Sequence, residues 1–78
     1  MTELDVIPLH EDEFESLRCC DLDGLDQEEA GRRMGVSRGT VQRLLERGRA
    51  KVVRALVESA ALVITKGEDD EALRAERG

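Results

Sequence analysis

The apolar and polar positions along the chain read as short strands at its two ends and helices between them. Leu4 to Leu9 (LDVIPL) is short, apolar and β-branched, and Pro8 confines it to a sheet edge or a strand end because proline has no amide to donate. From about Glu11 to Leu22 the spacing becomes helical. Phe14, Leu17, Arg18 and Cys20 or Asp21 are expected on the inner face, and acids fill the first turn, where the helix dipole favours them. Asp23-Gly24 stops that helix, and the D-x-x-E spacing of Asp26 and Glu29 starts a second that runs to Met34. A third helix begins at Ser37 and meets no breaker except Gly48 until about Glu58. Ala61 to Thr65 (ALVIT) then reads as a strand, ended by Lys66-Gly67, and the remaining EDDEALRAERG has no apolar face. The expected fold is mainly α: a three-helix helix-turn-helix domain over residues 1–66, with a long third helix and short terminal strands at about 4–9 and 61–65. Residues 67–78 are expected to form an acidic flexible tail. Two short strands at opposite ends of a helical chain need each other, or a copy of themselves, because unpaired strand edges are unstable in water.

The helix-turn-helix expectation rests on residues 27–46, QEEAGRRMGVSRGTVQRLLE. Ala30-Gly31 places a residue without a side chain where two helices are expected to cross closely. Gly35, between Met34 and Val36, permits the positive φ of a sharp interhelical turn. Ser37 is a natural N-cap, and Val41 and Leu44 give the third helix an inward face at i and i+3. The outward face then carries Arg38, Gly39, Thr40, Gln42, Arg43 and Arg47, residue types that contact phosphates and base edges in a DNA major groove. In this reading Arg38, Thr40, Gln42 and Arg43 face the bases, while Ser37, Arg32, Arg33, Arg47 and Arg49 hold phosphates. Each residue alone is compatible with an ordinary helical hairpin; their agreement in one register is what favours DNA.

The net charge of −6 looks wrong for a nucleic-acid binder until it is divided along the chain. Residues 1–30 hold 11 acids and one Arg, whereas residues 31–54 hold eight cations and one acid. The cations therefore lie on the motif, and the local field matters more to phosphate than the total. Phe14 is the only aromatic residue, which suits helices packed by aliphatic side chains. No apolar run approaches the ~20 residues of a membrane span, and acids follow Met1 where a signal peptide would be basic, so a cytoplasmic protein is expected. Cys19 and Cys20 are adjacent, a poor geometry for a disulfide with each other; both are expected to be free thiols, at least one buried. With His10 the only histidine and no CxxC or HxxxH spacing, no metal or other cofactor is expected. No nucleophile has a base partner and no glycine loop suits a phosphate, so neither catalysis nor a small-molecule substrate is expected.

The segment LHEDEFESLRCCDLDGLDQEEAGRRMGVSRGTVQRLLERGRAKVVRALVESAALVI resembles a small, largely uncharacterised prokaryotic family of predicted DNA-binding proteins whose helix-turn-helix looks like region 4 of sigma-70 factors. The resemblance covers about residues 9–64. Its most specific elements are DEFESLR, DLDGLDQEEA and RMGVSRGTVQRLLERGRAKV. It implies a helical DNA-binding fold and a role in transcription, as a regulator. The chain departs from the family in lacking a basic N-terminal segment, in Cys19-Cys20 where aliphatic residues are usual, and in Gly48 where a better helix former is usual.

The second half of the third helix presents Val52, Val53, Leu56, Val57 and Ala60, and the following strand adds Leu62 and Ile64. That is more apolar surface than so small a core needs, and it points to a homodimer. The competing reading is a protein-interaction module that uses this stripe, with the helix-turn-helix as scaffold.

Overall fold

The computed structural model of the protein describes residues 5–66. Leu4 of the expected first strand and the acidic stretch 67–78 lie outside them. Strand β1 (Val6–His10) leads into helix α1 (Glu11–Leu17), which continues as a π-helical turn (Arg18–Leu22). Helix α2 (Gln27–Met34), the long helix α3 (Arg38–Glu58) and strand β2 (Ala61–Thr65) follow. The mainly helical domain with three helices and two short strands is the one the pattern predicts. The strands pair with each other, in parallel, from Val6 opposite Ala61 to His10 opposite Thr65. Parallel neighbours cannot be joined by a hairpin, so the whole helical segment serves as the crossover between them.

Cys19, Ala30, Val41 and Leu45 form the centre of the core, with Leu17, Cys20, Leu25 and Met34 packed against it. Ile7 and Leu9 close it from β1. Val41 and Leu44 point inward as their spacing predicts, joined by Leu45, Gly48 and Ala55. Both cysteines are free thiols, and Cys19 is fully buried.

The first helix departs from expectation. Its buried positions are Glu13, Ser16 and Cys19, while Phe14 remains 40% exposed and Arg18 turns outward to Glu15 and Asp23. Two local features rotate the face. Gly48 lies against α1: a Cβ there would sit 3.0 Å from Leu17 Cδ1 and 3.4 Å from the Glu13 carbonyl. The Leu17 side chain and the α1 backbone thus fill the space that a side chain at position 48 would need, and on the same helix the buried Ser16 hydroxyl donates to the Glu13 carbonyl (2.8 Å). The second feature is the π turn, in which the Asp23 amide bonds the Arg18 carbonyl (2.9 Å), and after which the Leu25 amide returns to the Cys19 carbonyl (2.9 Å). It holds one residue more per turn than an α-helix and places Cys19 inside.

Glu13 is a buried charge with its partners supplied. Its carboxylate accepts from the His10 amide (2.9 Å), closing the entry into α1, and from Lys51 Nζ on α3 (2.7 Å). Burial works against the charged form, but the Lys51 ammonium and the His10 amide outweigh it and hold the carboxyl below its usual value. One side chain thereby ties β1, α1 and α3 together.

Candidate nucleic-acid interface

Helix α2 is built as its sequence suggests. The Asp26 carboxylate accepts from the Glu29 amide (2.8 Å), Glu28 and Glu29 occupy the first turn, and Arg32 and Arg33 the last. Gly35 ends it with φ of 76°, the left-handed conformation that lets a chain turn out of a helix within one residue. The Val36 amide returns to the Gly31 carbonyl (2.9 Å). Gly31 is required, although for a different reason than a crossing of helices. A Cβ there would lie 2.7 Å from the Val36 carbonyl oxygen, so what excludes a side chain is the backbone of the turn itself. Ser37 then caps α3, its hydroxyl accepting from the Thr40 amide (3.2 Å) and lying 3.0 Å from the Thr40 hydroxyl.

Of the expected DNA-facing residues, Arg32, Arg33, Ser37, Arg38, Gly39, Gln42, Arg43, Arg47 and Arg49 are exposed and Thr40 is half-buried. Helical spacing sorts those on α3 into rows. Gly39, Arg43 and Arg47 follow one another at i, i+4 and i+8 on the most outward line, and Arg38 and Gln42 form a parallel line beside it. Thr40 is occupied within the cap and accepts from Arg43 Nη2 (3.3 Å), which steadies that guanidinium over the first turn. Arg32 is paired loosely with Glu29 (3.6 Å). Arg49 stands apart: it grips Asp21 through two bonds of 3.1 and 2.7 Å, pinning the π-helical end of α1 to α3 and holding the Asp21 carboxyl below its usual value. Arg38 and Arg49 share a polar cleft with Cys20, Asp21, Asp26 and Gln27. Burial, and then the Asp21 charge, push the Cys20 thiol up and so keep it protonated.

Gly39 differs from the other helix-turn-helix glycines. It has no positive φ, and a Cβ would meet nothing nearer than the flexible tip of Arg43 at 3.9 Å. An exposed helical glycine costs about 0.5–1 kcal/mol relative to alanine, and nothing inside the fold requires it.

The expected apolar stripe lies on the same helix beyond the basic rows. Val52 and Ala60 are half-buried, while Val53, Leu56 and Val57 are 57%, 75% and 77% exposed, and Leu62 and Ile64 on β2 are 38% and 50% exposed. The single chain therefore leaves this surface uncovered. No helix among the described residues is long and apolar enough to cross a membrane.

From the sequence, no role is assigned to Glu13 or Lys51, Gly48 is marked only as a weak point of the third helix, and Asp21 only as an inner-face alternative to Cys20. Gly48 was detectable, since it continues the Val41, Leu44, Leu45 stripe at i+3 and i+4 spacing; so was Glu13, three residues after the strand-ending His10. The Asp21–Arg49 pair spans 28 residues and leaves no local trace.

Comparison with known proteins identifies the family. Residues 1–72 match the family described as "Protein of unknown function DUF134". A UPF0251 protein of Thermococcus kodakarensis is 56% identical over 59 residues, covering 76% of this chain and 52% of that protein. One of Pyrococcus horikoshii is 60% identical over 53 residues, covering 68% and 48%. A third, from Aeromonas salmonicida, is 43% identical over 70 residues, covering 90% and 69%. The chain thus spans about half the length of the archaeal relatives it matches. No solved structure matches it. With nearly its whole length matched by the family and close relatives in archaea and bacteria, the chain belongs to the DUF134 (UPF0251) family.

Proposed function

We propose that the protein is a sequence-specific double-stranded DNA-binding transcriptional regulator that acts as a homodimer through a helix-turn-helix of the sigma-70 region 4 type. The observation that carries this reading is Gly39. An exposed glycine in the first turn of the outward helix, with open space around it and an arginine row beyond it, has no use within the fold but lets another backbone come close. A phosphate strand at the edge of a major groove is such a backbone, and Arg43 and Arg47 continue toward it on the same line. In this account Arg43, Arg38 and Gln42 read base edges and Thr40 orients Arg43. Ser37, Arg32, Arg33 and Arg47 hold phosphates, with Arg49 contributing least because Asp21 already occupies it.

The apolar stripe would join two copies and set their α3 helices about 34–36 Å apart, for successive major-groove faces. The exposure of that same stripe also favours the competing reading, a docking module for another protein. Selection of bound sequences from a random duplex pool separates the two. A palindromic consensus is expected; a pool that shows no enrichment after repeated rounds excludes sequence-specific DNA binding.

A further inference from the structure

The two-stranded sheet has two outer edges, and they are not equivalent. The Ala61 amide bonds the Asp5 carbonyl (2.8 Å), with Val6 opposite Ala61. In a parallel ladder that bond fixes the phase of the alternation. Residues 61, 63 and 65 direct their amides and carbonyls toward β1, so Leu62 and Ile64 direct theirs away from it. On β1 the outward residues are Val6, Pro8 and His10. Pro8 has no amide, and the His10 amide is taken by the Glu13 carboxylate (2.9 Å). The β1 edge is therefore closed to a further strand by the devices that natural sheets use, whereas nothing among the described residues blocks the β2 edge.

The surface next to that open edge is apolar. Leu62 and Ile64 lie opposite the buried Ile7 and Leu9 and so share their face of the sheet, yet β2 overhangs the helices and leaves both half uncovered. Beneath it runs a groove lined by Leu9, Phe14, Leu17, Leu22, Val52 and Leu62, with Arg18 and Asp21 at its rim.

We propose that a second copy of the chain adds its own β2 to this edge, antiparallel, about a twofold axis through Val63, giving a continuous sheet in the order β1-β2-β2-β1. This rests on the homodimer of the preceding section and names its contact. ALVIT is self-complementary in that register. Leu62 of each copy faces Ile64 of the other as a hydrogen-bonded pair, and the two Val63 residues meet as a non-hydrogen-bonded pair on the opposite face. The incoming strand also roofs the groove. At their observed exposures of 38–77%, Phe14, Leu22, Leu56, Leu62, Val63 and Ile64 offer at most about 650 Å² per copy, an upper bound that gives every side chain the roughly 200 Å² of an aromatic residue. That matches the lower end of what each partner buries in a standard interface, about 600 Å². A heterologous strand would gain the backbone bonds but not this matched pairing of Leu62 with Ile64.

Val63→Cys tests the register directly. The Cα atoms of a non-hydrogen-bonded antiparallel pair lie about 4.5 Å apart, inside the span a disulfide bridges, roughly 4.4–6.8 Å. The full chain at roughly tens of micromolar, in a glutathione redox buffer, should become mostly covalent dimer as Val63→Cys. The wild type and Ala50→Cys, exposed on α3 outside the apolar stripe and treated alike, should not. A wild-type chain that sediments as a monomer at that concentration overturns the proposal, and so does a dimer that Val63→Cys leaves without a cross-link. Duplex selection distinguishes these failures from a failure of the DNA reading: a single non-palindromic site would remove the paired sheet and leave DNA binding standing, while a Val63-linked dimer without duplex affinity would do the reverse.

Discussion

Replacing Lys51 with methionine keeps the aliphatic stem along α3 and removes the ammonium from Glu13, which is 1% exposed and accepts from Lys51 at 2.7 Å. At an effective dielectric near 20 the bare attraction of such a pair is several kcal/mol. What the variant loses is governed by the carboxylate left behind, and removing one partner of a buried pair typically costs about 3–5 kcal/mol. The lysine side chain is 25% exposed and the His10 amide remains, so water and that bond recover part of the loss. The expected destabilisation is about 2–4 kcal/mol at neutral pH, roughly 10–25 °C in Tm for a domain of this size.

The pH dependence has a fixed sign. In the wild type the folded carboxyl titrates below its unfolded value of 4.5, so its contribution is present above pH 4.5 and is lost as acid drives the pH through the lower, folded value. In Lys51→Met both lowering contributions of the ammonium are gone and burial is opposed only by the His10 contacts, so the folded value moves up from its wild-type position and less stability is gained as pH rises. Wild type and variant should therefore differ least near pH 4 and most at pH 7. Urea unfolding followed by far-ultraviolet circular dichroism across that range measures the difference. A gap below about 0.5 kcal/mol that does not change with pH would refute the claim that Glu13 is a buried charge held by Lys51.

Gly39→Ala should raise stability by about 0.5–1 kcal/mol, because it restores helix propensity into open space, and should still weaken duplex binding; a melting curve and a binding titration on the same preparation check both signs. Gly35→Val should lower stability by roughly 1–3 kcal/mol by forcing a β-branched residue to a φ of 76°, and an unchanged Tm would contradict that. Arg43→Ala should cost about 1–3 kcal/mol on the selected site and relax preference at one base pair, whereas Arg33→Ala should weaken matched and mismatched duplexes alike; equal, uniform losses from both would refute the division into base readers and phosphate contacts.

Elements with local signatures were legible from the chain alone. The Asp26 and Ser37 caps, the Gly35 turn and the extent of α3 each depend on a few neighbouring residues, and all lie where their spacing predicts. β2 was legible for the same reason, while its parallel partnership with β1 depends on contacts between the two ends of the domain and stayed open until the structure supplied them. On the inner face of α1 the expected Leu17 and Cys20 do pack against the core, whereas hydrophobicity alone nominates Phe14, which stays 40% exposed, over the buried Glu13 and Ser16. That face is set by the close approach to Gly48 and by a carboxylate whose counter-charge lies 38 residues away. Arg49 shows the same limit at the candidate site, where composition marks a cation but only the fold reveals the Asp21 that occupies it.

The most direct test of the central claim is the salt dependence of duplex affinity for the full chain. Two helix-turn-helix units that engage phosphate through Arg32, Arg33, Arg47 and the residues around them should release enough counterions for affinity to fall by about 10³–10⁵ between 50 and 200 mM salt. The account predicts that steep, linear decline in a logarithmic plot, with Arg33→Ala making it shallower. An affinity that stays constant across the same range, or an absence of binding at 50 mM, would contradict it.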